Sequence, residues 1–361
     1  MEVKSLKLDH FRNYENLQLE FSPGTNLFYG DNAQGKTNIL EAVYVCGTTR
    51  SHRTSRDREL IRFGSEESHI RMEMTKAGIS YRIDMHLKKN RAKGIAIGGV
   101  PIHKASELVG LGNYIFFSPE DLSIIKNGPA ERRRFLDMEL CQLDKVYMAE
   151  LTGYNRVLLQ RNKLLKDLGK STEAAATLDI WDEQLVTHGS RVIEHRERFV
   201  KTLSDLASPI HQKLSGGREI LGIGYEKNVS VEDFAREVRA GREKDLFLKT
   251  TGTGPHRDDL SFQIGSIDIR HFGSQGQQRS AALSLKLSEI ELVKQKLRDR
   301  PVLLLDDVLS ELDSDRQHYL LDSIRDIQTF ISCTGLEEYE RSSFQIDRKF
   351  HVEAGKASAL S

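Results

Sequence analysis

Apolar side chains alternate with polar ones along the N-terminal part of the chain, which is the pattern of strands with one buried face. Two alternating runs, at residues 70–74 and 79–87, are separated by Thr75-Lys76-Ala77-Gly78 and predict a β-hairpin. Shorter apolar runs predict further strands at residues 3–8, 17–21, 25–29 and 114–117. This part of the chain is therefore expected to be rich in strand.

The hydrophobic period changes after residue 117, where apolar positions begin to recur every three or four residues. This spacing predicts two long helices, one over residues 136–165 and one over residues 178–214. The link at residues 169–176 is short and polar, which favours an antiparallel helical hairpin. Helices of about 35 residues would form an arm on the order of 50 Å long that stands off the main body.

The residues that follow the strand at 25–29 form the pattern G-x-x-x-x-G-K-T of a phosphate-binding loop. They are Gly30-Asp31-Asn32-Ala33-Gln34-Gly35-Lys36-Thr37. In such a loop the backbone N–H groups point at phosphates, the lysine reaches the outer phosphates and the threonine hydroxyl is placed to ligate magnesium. Apolar residues from Ile39 onward recur at helical spacing, so the phosphates would lie at a helix N-terminus. The chain is therefore expected to bind ATP and Mg²⁺.

A second chemical motif lies near the other end of the chain. Pro301-Val302-Leu303-Leu304-Leu305 predicts a strand buried on both faces, and it leads into Asp306-Asp307. Two adjacent carboxylates in such a place need a compensating cation, and the phosphate loop predicts magnesium nearby. We assign Asp306 to the metal and Asp307 to orienting or deprotonating the attacking water.

Most of the chain separates these two motifs, including the predicted helical hairpin. The economical arrangement is one α/β ATPase domain with a helical domain inserted into it. The expected parts are residues 1–120 and 246–361 for the ATPase domain and residues 121–245 for the inserted arm or lid.

Two further motifs resemble those of ABC-type ATPases. The residues Ser274, Gln275, Gly276 and Gln277 open a helical pattern as the ABC signature sequence does, although alone they could equally be a helix cap. Leu309-Ser310-Glu311-Leu312-Asp313 resembles the D-loop of the same superfamily, whose polar members here are Ser310 and Asp313. In that superfamily the signature helix of one subunit contacts the nucleotide held by the other.

The whole set of motifs resembles the RecF family of bacterial DNA replication and repair ATPases, relatives of the SMC proteins, over nearly the full length. The other matching segments are Phe11-Arg12-Asn13-Tyr14, Ser51-His52-Arg53-Thr54, Phe117-Ser118-Pro119-Glu120-Asp121-Leu122, Arg132-Arg133-Arg134-Phe135-Leu136-Asp137 and Gly254-Pro255-His256-Arg257-Asp258-Asp259.

The resemblance implies a cytoplasmic protein that forms a homodimer when it holds ATP. It also implies that the protein binds single-stranded, duplex or gapped DNA and hydrolyses ATP slowly. RecR and RecO are the implied partners, in recombinase loading and the SOS response to damage. Arg12 and Asn13 are implied nucleotide contacts.

Two positions depart from the wider superfamily. Pro119-Glu120-Asp121 stands where a glutamine would sense the γ-phosphate, and Cys333-Thr334 stands where a histidine would follow the late strand. Losing such contacts weakens stabilisation of the transition state more than ground-state binding, so slow turnover is expected.

Two other classes of protein remain open. One is a transporter ATPase subunit, which would need membrane partners, and the other is a small-molecule kinase, which would need no signature helix.

Charge changes this picture only locally. Lysine plus arginine and aspartate plus glutamate number 53 each, so any DNA contact must come from patches. One candidate patch is an acid-free stretch with Lys88, Lys89, Arg91 and Lys93, and the other is arginine-rich and includes Arg53 and Arg56. A solvated loop face is the alternative for both.

The sequence also predicts a cytoplasmic protein. Its cysteines are far apart, and it shows neither a signal-peptide pattern nor an apolar run long enough to span a membrane.

Overall fold

The computed structural model describes residues 1–167, 173–335 and 344–360. Contacts divide the chain into two compact units, and the first combines Met1–Asp121 with Glu289–Ser361. The second unit is Leu122–Ser288. The second boundary was expected at residue 245, but it falls within a helix near residue 288. The difference arises because a small sheet and the start of that helix pack with the helical segment.

The strands are numbered in chain order. They are β1 (Glu2–Phe11), β2 (Tyr14–Glu20), β3 (Thr25–Tyr29), β4 (Glu67–Lys76), β5 (Ile79–Lys88), β6 (Arg91–Ile97), β7 (Val100–Ile102), β8 (Tyr114–Phe117), β9 (Leu221–Glu226), β10 (Asp259–Ile264), β11 (Ile267–Asp268), β12 (Val302–Asp306), β13 (Thr329–Cys333), β14 (Arg348–Glu353) and β15 (Lys356–Leu360).

The α-helices follow the same order. They are α1 (Lys36–Thr48), α2 (Leu122–Lys126), α3 (Pro129–Leu143), α4 (Lys145–Asp167), α5 (Glu173–Leu214), α6 (Phe234–Ala240), α7 (Arg242–Leu248), α8 (Ile269–Phe272), α9 (Gln275–Leu297) and α10 (Ser314–Ser323). None of these described helices is long and apolar enough to cross a bilayer.

A mostly parallel sheet forms one layer of the first unit, in the order β15-β14-β3-β13-β12-β8. Only the β14–β15 pair is antiparallel. The apolar runs in β3, β12 and β13 are buried on both faces, as is typical of parallel strands. Because β3 pairs with β13, the two ends of the chain form a single sheet.

An antiparallel sheet forms the other layer, in the order β2-β1-β4-β5-β6-β7. The predicted hairpin is confirmed: β4 pairs with β5, and the alternating apolar residues of the two strands are largely buried. Helix α1 contacts strands of both sheets, so nearly all of its residues are buried. This position explains why α1 is mostly apolar after its first turn, because little of that part meets solvent.

The second unit confirms an antiparallel helix pair but corrects its details. The first predicted helix is wrong as a single element, because the backbone at Asp144 is extended and ends α3. The Asp144 carboxylate accepts hydrogen bonds from the N–H groups of Val146 and Tyr147 and so caps α4. Ion pairs from Arg161 to Asp182 and from Glu150 to Arg191 fix the antiparallel pairing of α4 with α5.

Other elements of the second unit pack on the helix pair, so within this unit the two helices are not an isolated hairpin. Helix α5 contacts β9 and α6, and α4 contacts α7. Strand β9 belongs to a three-stranded antiparallel sheet in the order β11-β10-β9. Part of the predicted link, residues 169–172, lies outside the described residues.

A buried arginine joins three elements of the second unit. The Arg161 side chain is fully buried, and its Nε donates to Asp182 at 2.6 Å. Its Nη1 donates to Asp245 at 2.7 Å and to the Thr251 hydroxyl at 2.8 Å. The guanidinium therefore links α4, α5 and α7 through charge-assisted hydrogen bonds.

Arg161→Ala should destabilise the second unit by about 3–5 kcal/mol, because it leaves the buried Asp245 without its cation and Asp182 with Arg242 alone. Denaturant unfolding followed by circular dichroism measures this change. The matched control is Arg191→Ala, which removes a 59% exposed arginine of the same helix pair and should cost about 1 kcal/mol or less. Equal effects of the two variants would contradict the assignment of Arg161 as a central contact.

Candidate nucleotide-binding site

The phosphate-binding loop has the backbone that its glycines predict. Gly30 has a φ of 146° and Gly35 a φ of 117°, in the region where side chains are strained. A Cβ at Gly30 would lie 2.2 Å from the carbonyl oxygen of Val352, and one at Gly35 would lie 2.8 Å from the Tyr14 hydroxyl. Both positions therefore require glycine for conformation and for space.

The N-terminus of α1 is open toward the loop. No side chain caps it, and its first turn carries no acidic residue. Lys36 folds back over the loop, where its Nζ donates to the carbonyl oxygens of Gly30 and Asp31 at 2.6 and 2.7 Å. Burial lowers the pKa of Lys36, and the nearby Asp307 opposes that shift. This arrangement of backbone N–H groups and a lysine suits an anionic phosphate chain.

Residues distant in sequence brace the loop from behind. Asn13 donates to the carbonyl oxygen of Gln34 at 2.8 Å, and the Gln34 side chain accepts from the N–H of Ala354 at 2.6 Å. Arg12 makes a bidentate ion pair with the fully buried Glu41 of α1. Neither Arg12 nor Asn13 lines the cavity beside the loop. Both residues support the loop in this structure, and their contact with a bound nucleotide stays a prediction.

Asp306 joins the loop to the end of the parallel sheet. Its Oδ1 accepts from the Thr37 hydroxyl at 2.8 Å and from the Ser332 hydroxyl at 2.5 Å. Hydroxyl and carboxylate oxygens are the ligands that Mg²⁺ uses together with substrate phosphates. The described residues contain no group of three or more His, Cys, Asp or Glu side chains that could hold a metal. The residues present therefore fit a Mg²⁺ ion completed by phosphate oxygens and water.

Asp307 differs from its neighbour in conformation and environment. Its φ is 52°, and its N–H donates to the carbonyl and the hydroxyl of Ser332. The Ser310 hydroxyl donates to the Asp307 carbonyl oxygen at 2.9 Å. Burial raises the pKa of Asp307, and the Asp306 charge adds to that shift. A carboxylate with a raised pKa at the wall of a cavity is suited to accept a proton.

These residues line one cavity of about 510 Å³ within the first unit. Its wall contains residues that the sequence assigns to the nucleotide, namely Asn32, Ala33, Gly35, Lys36, Thr37, Asp306 and Asp307. It also contains His52, Arg53, Ser332 and the segment from Ser118 to Glu120, part of which stands where the superfamily has its γ-phosphate-sensing glutamine. Arg53 thus lies at the cavity wall, and its contact with DNA stays a prediction. The segments around residues 52 and 118 were visible as motifs, but only the fold shows where they meet.

The signature segment forms a capping box at the start of α9 in the second unit. The backbone N–H of Gln277 donates to the Ser274 hydroxyl, and the Gln277 side chain accepts from the N–H of Ser274. Ser274, Gln275 and Gly276 are exposed, and the adjacent Phe272 is 80% exposed. In the D-loop segment, Asp313 caps α10 by accepting from the N–H of Arg316.

The acid-free basic stretch is largely neutralised by acids from other segments of the chain. Lys88 and Lys89 pair with Glu67 and Glu66 at 3.1 and 2.7 Å. Lys93 pairs with Asp57 at 3.0 Å and Arg56 with Glu59 at 3.7 Å, while Arg91 is exposed. The sequence stretch looked positive because the compensating carboxylates are distant along the chain. This finding favours the solvated-face alternative for that hairpin.

The chain is similar to known proteins along its whole length. The model of the family described as RecF/RecN/SMC N terminal domain matches residues 2–353. The DNA replication and repair protein RecF of Lachnoclostridium phytofermentans is 59% identical over 98% of this chain and 99% of its own. The RecF of Clostridium kluyveri is 43% identical over 100% of both chains.

Solved structures agree with this similarity. A structure of the recombination mediator protein RecF with ATP, in the RecFOR pathway, has a TM-score of 0.93 at 36% identity and covers 100% of this chain and 98% of its own. An Smc head bound to part of ScpA has a TM-score of 0.59 at 18% identity, covering 100% of this chain and 98% of its own, and shares the fold.

Gly30→Ala should weaken ATP binding by about tenfold or more, because strain of about 1–3 kcal/mol would displace the loop from the phosphates. Equilibrium titration with ATP measures the loss. Gly98→Ala is the matched control, since Gly98 also has a positive φ but a Cβ there meets open space. Wild-type ATP affinity in Gly30→Ala would contradict the proposed loop geometry.

Proposed function

This chain belongs to the RecF/RecN/SMC N-terminal domain family, as a RecF-type protein of DNA replication and repair that binds ATP, and from that membership we propose that ATP makes it a dimeric DNA clamp. The clamp would assemble at DNA gaps or junctions and assist recombinase loading and the SOS response. RecR and RecO are its proposed partners. The observation that carries the proposal is the contact of Thr37 with Asp306 beside an uncapped α1.

That contact supports a nucleotide switch because both of its residues would take part in holding Mg²⁺. When bound, the ion neutralises charge that develops on the transferred phosphoryl group. Lys36 would leave the loop carbonyls to hold the outer phosphates, and Ser332 would keep Asp306 oriented. The local hydrogen bonds at this site thus differ between the empty and nucleotide-bound states.

Dimerisation is proposed from the exposed signature segment. The start of α1 alone would hold a γ-phosphate incompletely. The start of α9 is a second surface open to solvent, and outside its capping box the Ser274 hydroxyl and the N–H groups of Gln275 and Gly276 could donate to that phosphate. A partner subunit could bring its Ser274 to the phosphates held by Lys36, with Phe272 packing at the edge of the contact. ATP would then stabilise the dimer to the extent that it binds the closed state better.

Slow hydrolysis is proposed from the residues at the cavity wall. Ser118, Pro119 and Glu120 lie there, in the place of the γ-phosphate-sensing glutamine, and offer no amide side chain to position water. Asp307 would orient or deprotonate the attacking water. Because turnover would lack one positioning contact, the ATP-bound dimer would persist long enough to serve as a timer on DNA.

With ATP and magnesium, the mass of the chain should rise from the monomer value of 41.0 kDa to twice that value. Light scattering on Asp307→Asn, which holds ATP unhydrolysed, measures the change. Ser274→Arg should bind ATP yet remain monomeric, because it alters only the surface offered to the partner. Ser358→Arg, at another exposed serine, should dimerise normally. A wild-type mass that stays monomeric across the concentration range contradicts the proposal.

Lys36→Ala should lose ATP affinity, whereas Asp307→Asn should keep affinity and lose turnover, since Lys36 contacts the ground state and Asp307 acts in the transition state. The raised pKa of Asp307 also predicts that kcat falls with decreasing pH at a higher pH than an ordinary aspartate would give. Titration and steady-state ATPase assays measure both effects. Equal loss of ATP affinity in the two variants would contradict the role of Asp307.

A further inference from the structure

Phe63 carries the most exposed large apolar side chain among the described residues, with 99% of its surface accessible. Burial of a phenylalanine ring stabilises a folded protein, and this ring contributes none of that stabilisation. No aromatic or cationic group of the described residues is found against the ring. The ring therefore has both faces available to a ligand.

The backbone beneath Phe63 is well fixed. Ser65 donates its N–H to the carbonyl oxygen of Arg62 at 3.0 Å, and Gly64 between them has a φ of 87°. This is the pattern of a type II turn with Phe63 at its first corner. The N–H of Arg62 donates to the carbonyl oxygen of His10, and Ile61 forms an antiparallel β-bridge with Phe11, so the turn is anchored to β1. The ring thus projects from a rigid corner, which lowers the entropy cost of binding.

The segment that leads to this turn is rich in arginine. Arg58 is exposed and has no carboxylate partner within the described residues, and Arg62 lies 3.6 Å from Glu15. The two glutamates that follow the turn are matched by lysines, since Glu66 pairs with Lys89 and Glu67 with Lys88. Arg58 therefore keeps an uncompensated charge, whereas Arg62 shares its charge with Glu15. An exposed ring together with arginine side chains is the combination that proteins use to bind single strands.

We infer that Phe63 is a stacking platform for an unpaired DNA base, with Arg58 and Arg62 holding the adjacent phosphates. This inference rests on the proposed DNA-binding function and names the contact through which a gap would be recognised. A protein partner fits this place less well, because a stable protein interface needs a large, well-packed apolar patch and this is a single ring in a charged segment. A base offers a flat aromatic face, and its backbone supplies the matching negative charge.

The same segment is bonded to the nucleotide-binding helix. Arg12, which pairs with Glu41 of α1, donates to the carbonyl oxygen of Glu59 at 2.8 Å. Ser51 donates to Glu41 at 2.5 Å and accepts from the N–H of Arg53, a residue of the cavity wall. A base stacked on Phe63 would therefore contact a segment that is hydrogen-bonded to the ATP site.

Phe63→Ala should weaken binding of oligo(dT) and of a gapped duplex by about 5- to 150-fold in the presence of ATP, the range expected for one stacked base. Phe63→Trp should bind as tightly as wild type, and Phe63→Leu should behave like Phe63→Ala. Binding to a blunt duplex should not change. Fluorescence anisotropy measures all three substrates. The matched control is Phe247→Ala, which removes another exposed phenylalanine, at 85%, and should leave DNA binding unchanged.

Tryptophan fluorescence can detect the contact between residue 63 and a DNA base directly. Trp181 is the only tryptophan in the chain, so Phe63→Trp combined with Trp181→Phe leaves one reporter at the turn. Oligo(dT) should quench this reporter through stacking, and blunt duplex should not. ATP affinity and melting temperature should match wild type in every Phe63 variant, because the ring supports neither.

The outcomes separate the two proposals. If the wild-type chain with ATP binds none of the three DNAs, the proposed function fails. If wild type binds gapped DNA and Phe63→Ala binds it equally well, or if the reporter is not quenched, the stacking role is overturned. If Phe63→Ala lowers the ATP-dependent dimer mass, the ring belongs to a contact between subunits and the stacking role is likewise overturned.

Discussion

The carboxylate of Asp306 is the contact on which the nucleotide site depends. It accepts hydrogen bonds from Thr37, 269 positions earlier in the chain, and from Ser332 on the neighbouring strand. Three segments therefore meet at one oxygen: the start of α1, the end of β12 and the end of β13. Because parallel strands β3, β13 and β12 place their carboxyl ends at one edge, the phosphate loop and the acidic pair come together there.

The rest of the first unit keeps that meeting point rigid. The turn between β14 and β15 holds Gln34 from one side, and Tyr14 and Asn13 hold the loop from another. Glu41, buried inside α1, binds both Arg12 and Ser51 and so ties the helix to the arginine-rich segment. The phosphate loop is thus braced by residues from both ends of the chain, and preorganisation of this kind is what electrostatic stabilisation of phosphates requires.

Charge patterns in the sequence had to be corrected by the tertiary structure. The stretch from Lys88 to Lys93 contains no acid, yet Glu66, Glu67 and Asp57 lie beside its lysines in the fold. The arginine-rich segment divides differently, since Arg53 lines the nucleotide cavity and Arg58 stays exposed. A run of like charges in the sequence describes only the local composition. The electrostatic potential at the surface also depends on the charged side chains of other segments that lie within a few ångströms in the fold.

The sequence by itself determined the chemistry of the site and most local structure. Gly30 to Thr37, Asp306 and Asp307 were recognisable because phosphate binding demands fixed residue types at fixed spacing, and the β4–β5 hairpin because burial of one face imposes alternation. Only the tertiary structure decided the break at Asp144, the covering of the helix pair, the positions of Arg12 and Arg53, and the exposure of Phe63. Those features depend on which surfaces of distant segments meet. Local periodicity carries no information about such contacts, because a buried and an exposed side chain can have the same neighbours in sequence.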